Sequence, residues 1–189
     1  MDAITLLTAD HNHVRGLFSK FKTAEENDNT ETMLEVGGKI VDELTVHTTI
    51  EEEIFYPAVT DVSEEVHKLV NEGVEEHSVA KRLIEELSTV EPGGEDWVAK
   101  MTVIIESVEH HAEEEEKEMF PGIKRNIAKD QLESLALQMD ARKGELGAPT
   151  SKDTLDLSKT QLLELAREQE IPGRSNMDVE ELALTVRPR

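Results

Sequence analysis

Apolar side chains recur along most of the chain in alternating steps of three and four, the pattern of helices that each turn one face to a core. The first stripe runs Ile4, Leu7, His11, Val14, Phe18, Phe21, and the second Met33, Val36, Ile40, Leu44, His47, Glu51, Ile54. The third reads Val66, Val70, Gly73, His77, Ala80, Ile84, Leu87, and the fourth Trp97, Met101, Ile104, Val108, His111, Glu115, Met119. The polar run Glu26 to Asn29 separates the first two helices, and Pro57 is expected to stop the second. Ser63, with Glu64 and Glu65 behind it, reads as the start of the third helix. Glu91-Pro92-Gly93-Gly94 ends it, Pro121-Gly122 breaks or kinks the fourth, and a further amphipathic helix is expected from Asp130 to Lys143. Long helices on short connections predict an all-α, up-down-up-down four-helix bundle.

Four core positions in these stripes are histidine and two are glutamate. An unpaired carboxylate in a core costs on the order of several kcal/mol, so this placement calls for a cation. The chain also repeats itself: His47 to Pro57 matches His111 to Pro121, with a Glu four and a Pro ten residues after each His, at an offset of 64 residues. Asp10-His11 matches Glu76-His77 at an offset of 66. Each half thus offers one His from its first helix and a His-x-x-x-Glu from its second. Residues four apart share a helix face, so each pair can hold a common metal centre. A lone core histidine is more often a packed, hydrogen-bonded residue, and a lone His-x-x-x-Glu a surface contact; repetition at matched register is what points to a metal. His13 falls on the opposite side of its helix from His11, and His67 reads as surface. His110 could pair with Glu114 in the same way, but Pro121 and the stripe through Val108 select His111. The remaining glutamates of the runs 51–53 and 113–116 read as solvated face. Tyr56, the one tyrosine, reads as packing near the bundle end, with a phenolate ligand to iron as the alternative.

Composition narrows the metal. The chain has no cysteine, which excludes thiolate zinc sites, iron–sulfur clusters and disulfides. Four imidazoles and two carboxylates suit iron, with zinc or manganese as weaker fits, and the carboxylates can bridge two ions. The formal net charge of −22, concentrated before Thr150, argues against nucleic acid and anionic lipid as partners. The N-terminus has neither a basic nor an apolar leader segment, and no stretch approaches the roughly 20 apolar residues of a spanning helix. The expectation is a soluble cytoplasmic protein.

From Asp2 to about Lys143 these residues resemble the hemerythrin-like, HHE cation-binding family. The resemblance rests on His11, His47-x-x-x-Glu51, His77 and His111-x-x-x-Glu115, with Phe55-Tyr56-Pro57 and Met119-Phe120-Pro121 closing the two halves. It implies a four-helix bundle around a non-haem, carboxylate-bridged centre of two Fe ions, with those six residues as ligands and both Glu as bridges. Oxygen-carrying hemerythrins use a fifth His, usually on the third helix, and an Asp on the fourth. Here the positions four before and after His77 are Gly73 and Lys81. The resemblance therefore points away from reversible oxygen storage and toward binding or redox chemistry with O2, peroxide or NO, in oxidative or nitrosative stress response or sensing. A di-iron enzyme, such as one disproportionating peroxide, and an iron storage or interaction module without turnover are the other readings.

The tail is a different sort of sequence. Its Leu162, Leu165, Ala166, the loop Ile171 to Ser175, and Leu182 resemble the small helical module at the N-terminus of the Rho transcription terminator. With few basic residues, Arg187 and Arg189 among them, it reads as a docking element for a protein partner or as packing. The expected division is a bundle over 1–146, a flexible linker over 147–154, and a small helical module over 155–189.

Overall fold

The computed structural model describes residues 1–154 and 157–186, and these form helices and turns without a strand. Helix α1 spans Ala3–Glu26. Helix α2 (Thr30–Ile50) passes through a π-turn at Glu51–Phe55 into α3 (Tyr56–Val59). Helix α4 spans Glu64–Leu87, and α5 (Glu95–Glu114) passes through a second π-turn at Glu115–Met119 into α6 (Phe120–Asn126). Three of the four long helices open on a side-chain cap that satisfies an otherwise unpaired N–H: Asp2 accepts from Thr5 N (2.8 Å), Asn29 from Thr32 N (3.1 Å) and Ser63 from Val66 N (3.2 Å). Helix α5 starts at Gly94 with Glu95 and Asp96 in its first turn, where the helix dipole favours negative charge.

Cross-helix contacts fix the directions. His11 meets Glu115 and Lys22 meets Glu109; His13 meets Glu43 and His11 meets His47; Glu52 meets His77; Glu76 meets His111 and Glu86 meets Lys100. Numbers rise on one helix as they fall on the next all the way round, so neighbours are antiparallel and the four-helix bundle expected from the sequence is what forms. Its interior holds two apolar clusters. One contains Leu7, Phe55, Val59, Phe120, Ile123 and Met139; the other contains Phe18, Phe21, Ile40, Trp97, Met101 and Ile104. Along each long helix the core histidine, His11, His47, His77 or His111, falls between the two, and Glu51 and Glu115 lie one turn beyond His47 and His111.

Neither proline ends its helix, contrary to the expectation for Pro57. Tyr56 N–H bonds to Glu51 O, and Phe120 N–H to Glu115 O, each reaching five residues back. A proline has no N–H to give and its ring crowds the carbonyl four residues earlier; the wider π-turn just before it relieves both problems. The extra residue in the turn buries Phe55 completely and leaves Ile54 half-buried, one position from the stripe read from the sequence.

Helix α7 (Lys129–Glu145) lies against α1 and the first π-turn, where Arg142 holds Glu53 at 2.8 and 3.2 Å. Beyond it come a turn at Ser151–Asp153, α8 (Lys159–Glu168), a turn at Arg174–Asn176 and α9 (Val179–Thr185). Leu162, Ala166, Ile171, Leu182, Ala183 and Val186 form a separate buried cluster. The segment read as a flexible linker is tied down: Ser151 donates to Asp140 through both N and Oγ at 2.8 Å, and the buried Thr154 hydroxyl donates to the Ala183 carbonyl. Its Pro, Ser and Thr act as turn chemistry here. The tail rests on α1, where Lys20 Nζ donates to Glu168 O (2.7 Å) and the N-terminal ammonium pairs with Glu180 (2.8 Å). Leu155, Arg187 and Arg189 lie outside the described residues.

Gly16 makes that contact possible, since a Cβ there would stand 2.8 Å from the Gln169 carbonyl oxygen and 2.9 Å from Ile171 Cδ1. Alanine is better than glycine inside a helix by about 1 kcal/mol, but a backbone carbonyl cannot yield. Gly16→Ala is therefore expected to keep the bundle folded and loosen the tail, read as faster tryptic cleavage at Lys159 and Arg167. An unchanged cleavage rate would show that the tail does not depend on this contact.

Candidate metal centre

The six polar residues of the stripes meet in the layer between the apolar clusters, each no more than 5% exposed. Glu51 Oε2 lies 3.2 Å from His47 Nε2, 3.3 Å from His77 Nε2 and 4.0 Å from His111 Nε2. Glu115 Oε2 lies 3.3 Å from His11 Nε2 and 3.9 Å from His111 Nε2. Two sets of donor atoms result, His11, His47, Glu51 and Glu115 in one and Glu51, His77 and His111 in the other, each gathered within 4.8 Å. Glu51 belongs to both.

Three of the imidazoles are held from behind by a carboxylate on Nδ1. His11 faces Glu116 (2.8 Å), His77 faces Glu52 (3.0 Å) and His111 faces Glu76 (2.7 Å), while His47 Nδ1 has Asp10 at 3.8 Å. The pattern is twofold: the acid preceding the first-helix histidine serves the second-helix histidine of its own half, and the acid following each central glutamate serves the first-helix histidine of the other half. Arg15 grips Glu116 with both terminal nitrogens (2.8 and 3.1 Å), Lys81 grips Glu52 (2.7 Å to both oxygens) and Lys143 holds Asp10 (2.5 Å). A carboxylate on Nδ1 keeps the proton there and leaves the Nε2 lone pair pointing inward.

The centre is then crowded with lone pairs. His77 Nε2 and His111 Nε2 face one another at 3.1 Å, and His11 Nε2, both oxygens of Glu51 and Oε2 of Glu115 are buried without a hydrogen-bond partner among the described residues. Among the described residues, six carboxylates around this layer meet three lysine or arginine side chains, which leaves three negative charges over. Without metal, protons offset part of this excess. Burial opposes charge on His11, but Glu115 and Glu116 push its pKa up to about 9. Burial likewise opposes charge on His111, which Glu115, Glu51 and Glu76 raise well above the usual imidazole value. Burial opposes charge on Glu116 too, yet His11 and Arg15 hold its carboxyl at about 2.

Tyr56 does more than pack. It is 2% exposed, its hydroxyl donates to Glu115 Oε1 (3.0 Å) and stands 3.4 Å from His111 Nε2, and its ring stacks on His77 with centroids 5.6 Å apart. Burial and the charges of Glu51 and Glu115 raise its pKa well above the ordinary phenol value. Its repeat partner Phe120 stacks on His11 in the equivalent place, without a hydroxyl. Gly73 makes room, since a Cβ there would lie 2.9 Å from the Tyr56 oxygen.

Other expectations meet mixed outcomes. His111 lies in the core and His110 is exposed; His67 is on the surface. His13 is buried and faces Glu43 (3.5 Å) on α2. Glu52 and Glu116, read as solvated face, instead hold His77 and His11. The signal was in the repeat, where Glu51-Glu52 matches Glu115-Glu116 and Asp10-His11 matches Glu76-His77.

A four-helix bundle with a buried histidine–carboxylate layer defines a class of cation-binding helical proteins. Residues 2–123 match the hemerythrin HHE cation binding domain, and the chain belongs to that family. Its fold is similar to the crystal structure of a hemerythrin HHE cation binding domain-containing protein, the Rv2633c homolog from Mycobacterium kansasii, with a TM-score of 0.65 and 22% identity over 98% of this chain and 99% of that one. The uncharacterized protein Rv2633c of Mycobacterium tuberculosis is 28% identical, covering 79% of this chain and 90% of its own length. A DNA nickase of Nostoc sp. is 27% identical over 77% of this chain, which spans only 40% of that protein.

Removing a carboxylate that orients a metal-bound imidazole typically weakens metal affinity about 10–100-fold. Glu116→Gln and Glu52→Gln are each expected to do so in a competition titration with a chromophoric chelator. Glu114→Gln, half-buried on the outer side of α5, should leave affinity unchanged.

Proposed function

We propose that the chain is a cytoplasmic non-haem di-iron protein that binds or reacts with dioxygen, peroxide or nitric oxide in oxidative or nitrosative stress response or sensing. His11, His47, His77 and His111 are assigned as terminal ligands, and Glu51 and Glu115 as bridges between the two ions. The observation that carries this reading is the convergence of imidazole lone pairs and unpartnered carboxylate oxygens on one buried layer, an arrangement that is repulsive until cations enter it. Nitrogen and oxygen donors without thiolate favour iron over a structural zinc site. Two iron ions, when bound, supply one-electron redox exchange with small oxidants. Around them Phe55 and Phe120 exclude water, and the Tyr56 hydroxyl holds a proton at hydrogen-bond distance from Glu115.

Tyr56 supports a second reading of its own. Its hydroxyl occupies the space that a side chain at position 73 would fill, and oxygen-carrying relatives use a histidine from this helix. Tyr56 as an additional iron ligand would add a visible absorption band, absent in Tyr56→Phe. Such a site favours reaction with an oxidant over reversible carriage, which makes a peroxide-disproportionating enzyme the catalytic version of this proposal. The nickase activity of the Nostoc relative is not carried over, because a chain of net charge −22 has little to offer a DNA backbone. The bundle over 1–146 is assigned the chemistry, and the module over 155–189, with its resemblance to the Rho N-terminal motif, the docking of a protein partner.

Protein from iron-replete cells is expected to carry about two iron atoms per chain, the number that two donor sets sharing Glu51 would hold. Glu51→Ala or Glu115→Ala should lose at least one, whereas Glu53→Ala, Glu114→Ala, His13→Ala and His67→Ala should lose none. Zinc alone by elemental analysis, or equal loss from all variants, would sink the assignment.

A further inference from the structure

A cavity of about 240 Å³ opens between α2, α4 and α5 and reaches the imidazoles of His47, His77 and His111. Leu44, Ala80, Ile84 and Val108 form its apolar walls, and Glu76 and Glu85 are among its polar groups. It explains why Ile84 and Val108, both on core stripes, remain half-buried. Dioxygen, nitric oxide and hydrogen peroxide need far less space, since an apolar cavity of about 150 Å³ already holds benzene. The carboxylates disfavour an anion, and Lys81 at the same cavity is committed to Glu52. We propose, resting on the oxidant-binding reading above, that the cavity receives a neutral organic hydroperoxide, its hydrocarbon body against Leu44, Ala80, Ile84 and Val108 and its oxygen end toward the imidazoles. Cumyl alcohol is a stable probe of that shape. Titrated into the zinc-loaded full chain, it should saturably shift the methyl resonances of Ala80, Ile84 and Val108, and Ala80→Phe or Val108→Phe should abolish the response at unchanged zinc content. Absence of saturable shifts, or shifts that survive both substitutions, would overturn the proposal. Zinc is redox-silent, so the result stands apart from how the iron-loaded protein treats oxidants.

Lys143 breaks the twofold pattern in a way that bears on the metals directly. It lies on α7, beyond the residues matched to the family, yet it is 4% exposed and bonded to Asp10, which is 3% exposed. Asp10 Oδ1 takes Lys143 at 2.5 Å while Oδ2 stands 3.8 Å from His47 Nδ1, and that nitrogen has no hydrogen-bond partner among the described residues. The geometry points to Lys143 as a positioning residue that draws Asp10 away from His47 and makes the His11/His47 ion the more weakly held of the two. Zinc titration of the metal-free full chain against a chelator should then show two unequal steps. Lys143→Met should remove this pull on Asp10, let its carboxylate accept from His47 and strengthen the weaker step by about 10–100-fold, with the His47 imidazole nitrogen signal shifting in step. Lys143→Arg should restore the wild-type inequality. Equal steps in the wild type, or steps that move together or not at all in Lys143→Met, would overturn it.

Discussion

Negative charge buried without enough positive charge to match it governs this molecule. Glu51 and Glu115 sit at 0 and 1% exposure, where an unpaired carboxylate is among the costliest groups a core can hold. Apolar clusters above and below supply the burial that keeps the bundle together despite that layer. The outer acids then do something that looks perverse in a core already too negative. By fixing protons on Nδ1 they turn the imidazole lone pairs inward, so the site is arranged for a metal at the expense of the metal-free fold. A layer of leucines would give a more stable bundle and no site.

Backbone geometry serves the same end. A straight α-helix brings side chains at four-residue spacing onto one face, and His47 with Glu51 or His111 with Glu115 follows that rule. The next residues must both close the apolar end of the layer and place an aromatic ring over a histidine of another helix. A π-turn inserts one residue there, and the following proline, which cannot use the missing bond, fits at no further cost in hydrogen bonding. Tyr56 stacks on His77 and Phe120 on His11 as a result. The prolines thus mark where the helix widens.

Much of this was legible in the sequence because it follows from period and repetition. The stripes place His11, His47, Glu51, His77, His111 and Glu115 in the core without further information, and the caps at Asp2 and Ser63 mark helix starts by residue type alone. Three things were not legible. A single proline is indistinguishable in sequence from a helix stop, so the π-turns and the burial of Phe55 were missed. Glu52 and Glu116 belong to acidic runs whose composition says surface; the repeat marks them as a matched pair, but only the fold shows that they meet His77 and His11 across the bundle. The contacts that residues 151–154 and 157–186 make with the bundle run past Gly16 in α1 and through Asp140, neither of which stands out in a linear pattern.

The two halves of the repeat are alike in ligands and unlike in what surrounds them. Tyr56 brings a hydroxyl to the side of His111, where Phe120 brings only a ring to His11. The cavity of about 240 Å³ reaches His47, His77 and His111 but not His11. Lys143 engages the acid behind His47, and among the described residues no lysine or arginine is bonded to Glu76 behind His111. The phenol lies beside His77 and His111, Phe120 lies against His11, and His47 stands between the cavity and the Asp10–Lys143 pair. The repeat thus supplies a symmetric set of donor residues in an unsymmetric surround: His77 and His111 meet both the phenol and the cavity, His11 meets neither, and His47 meets the cavity while Asp10 and Lys143 stand behind it.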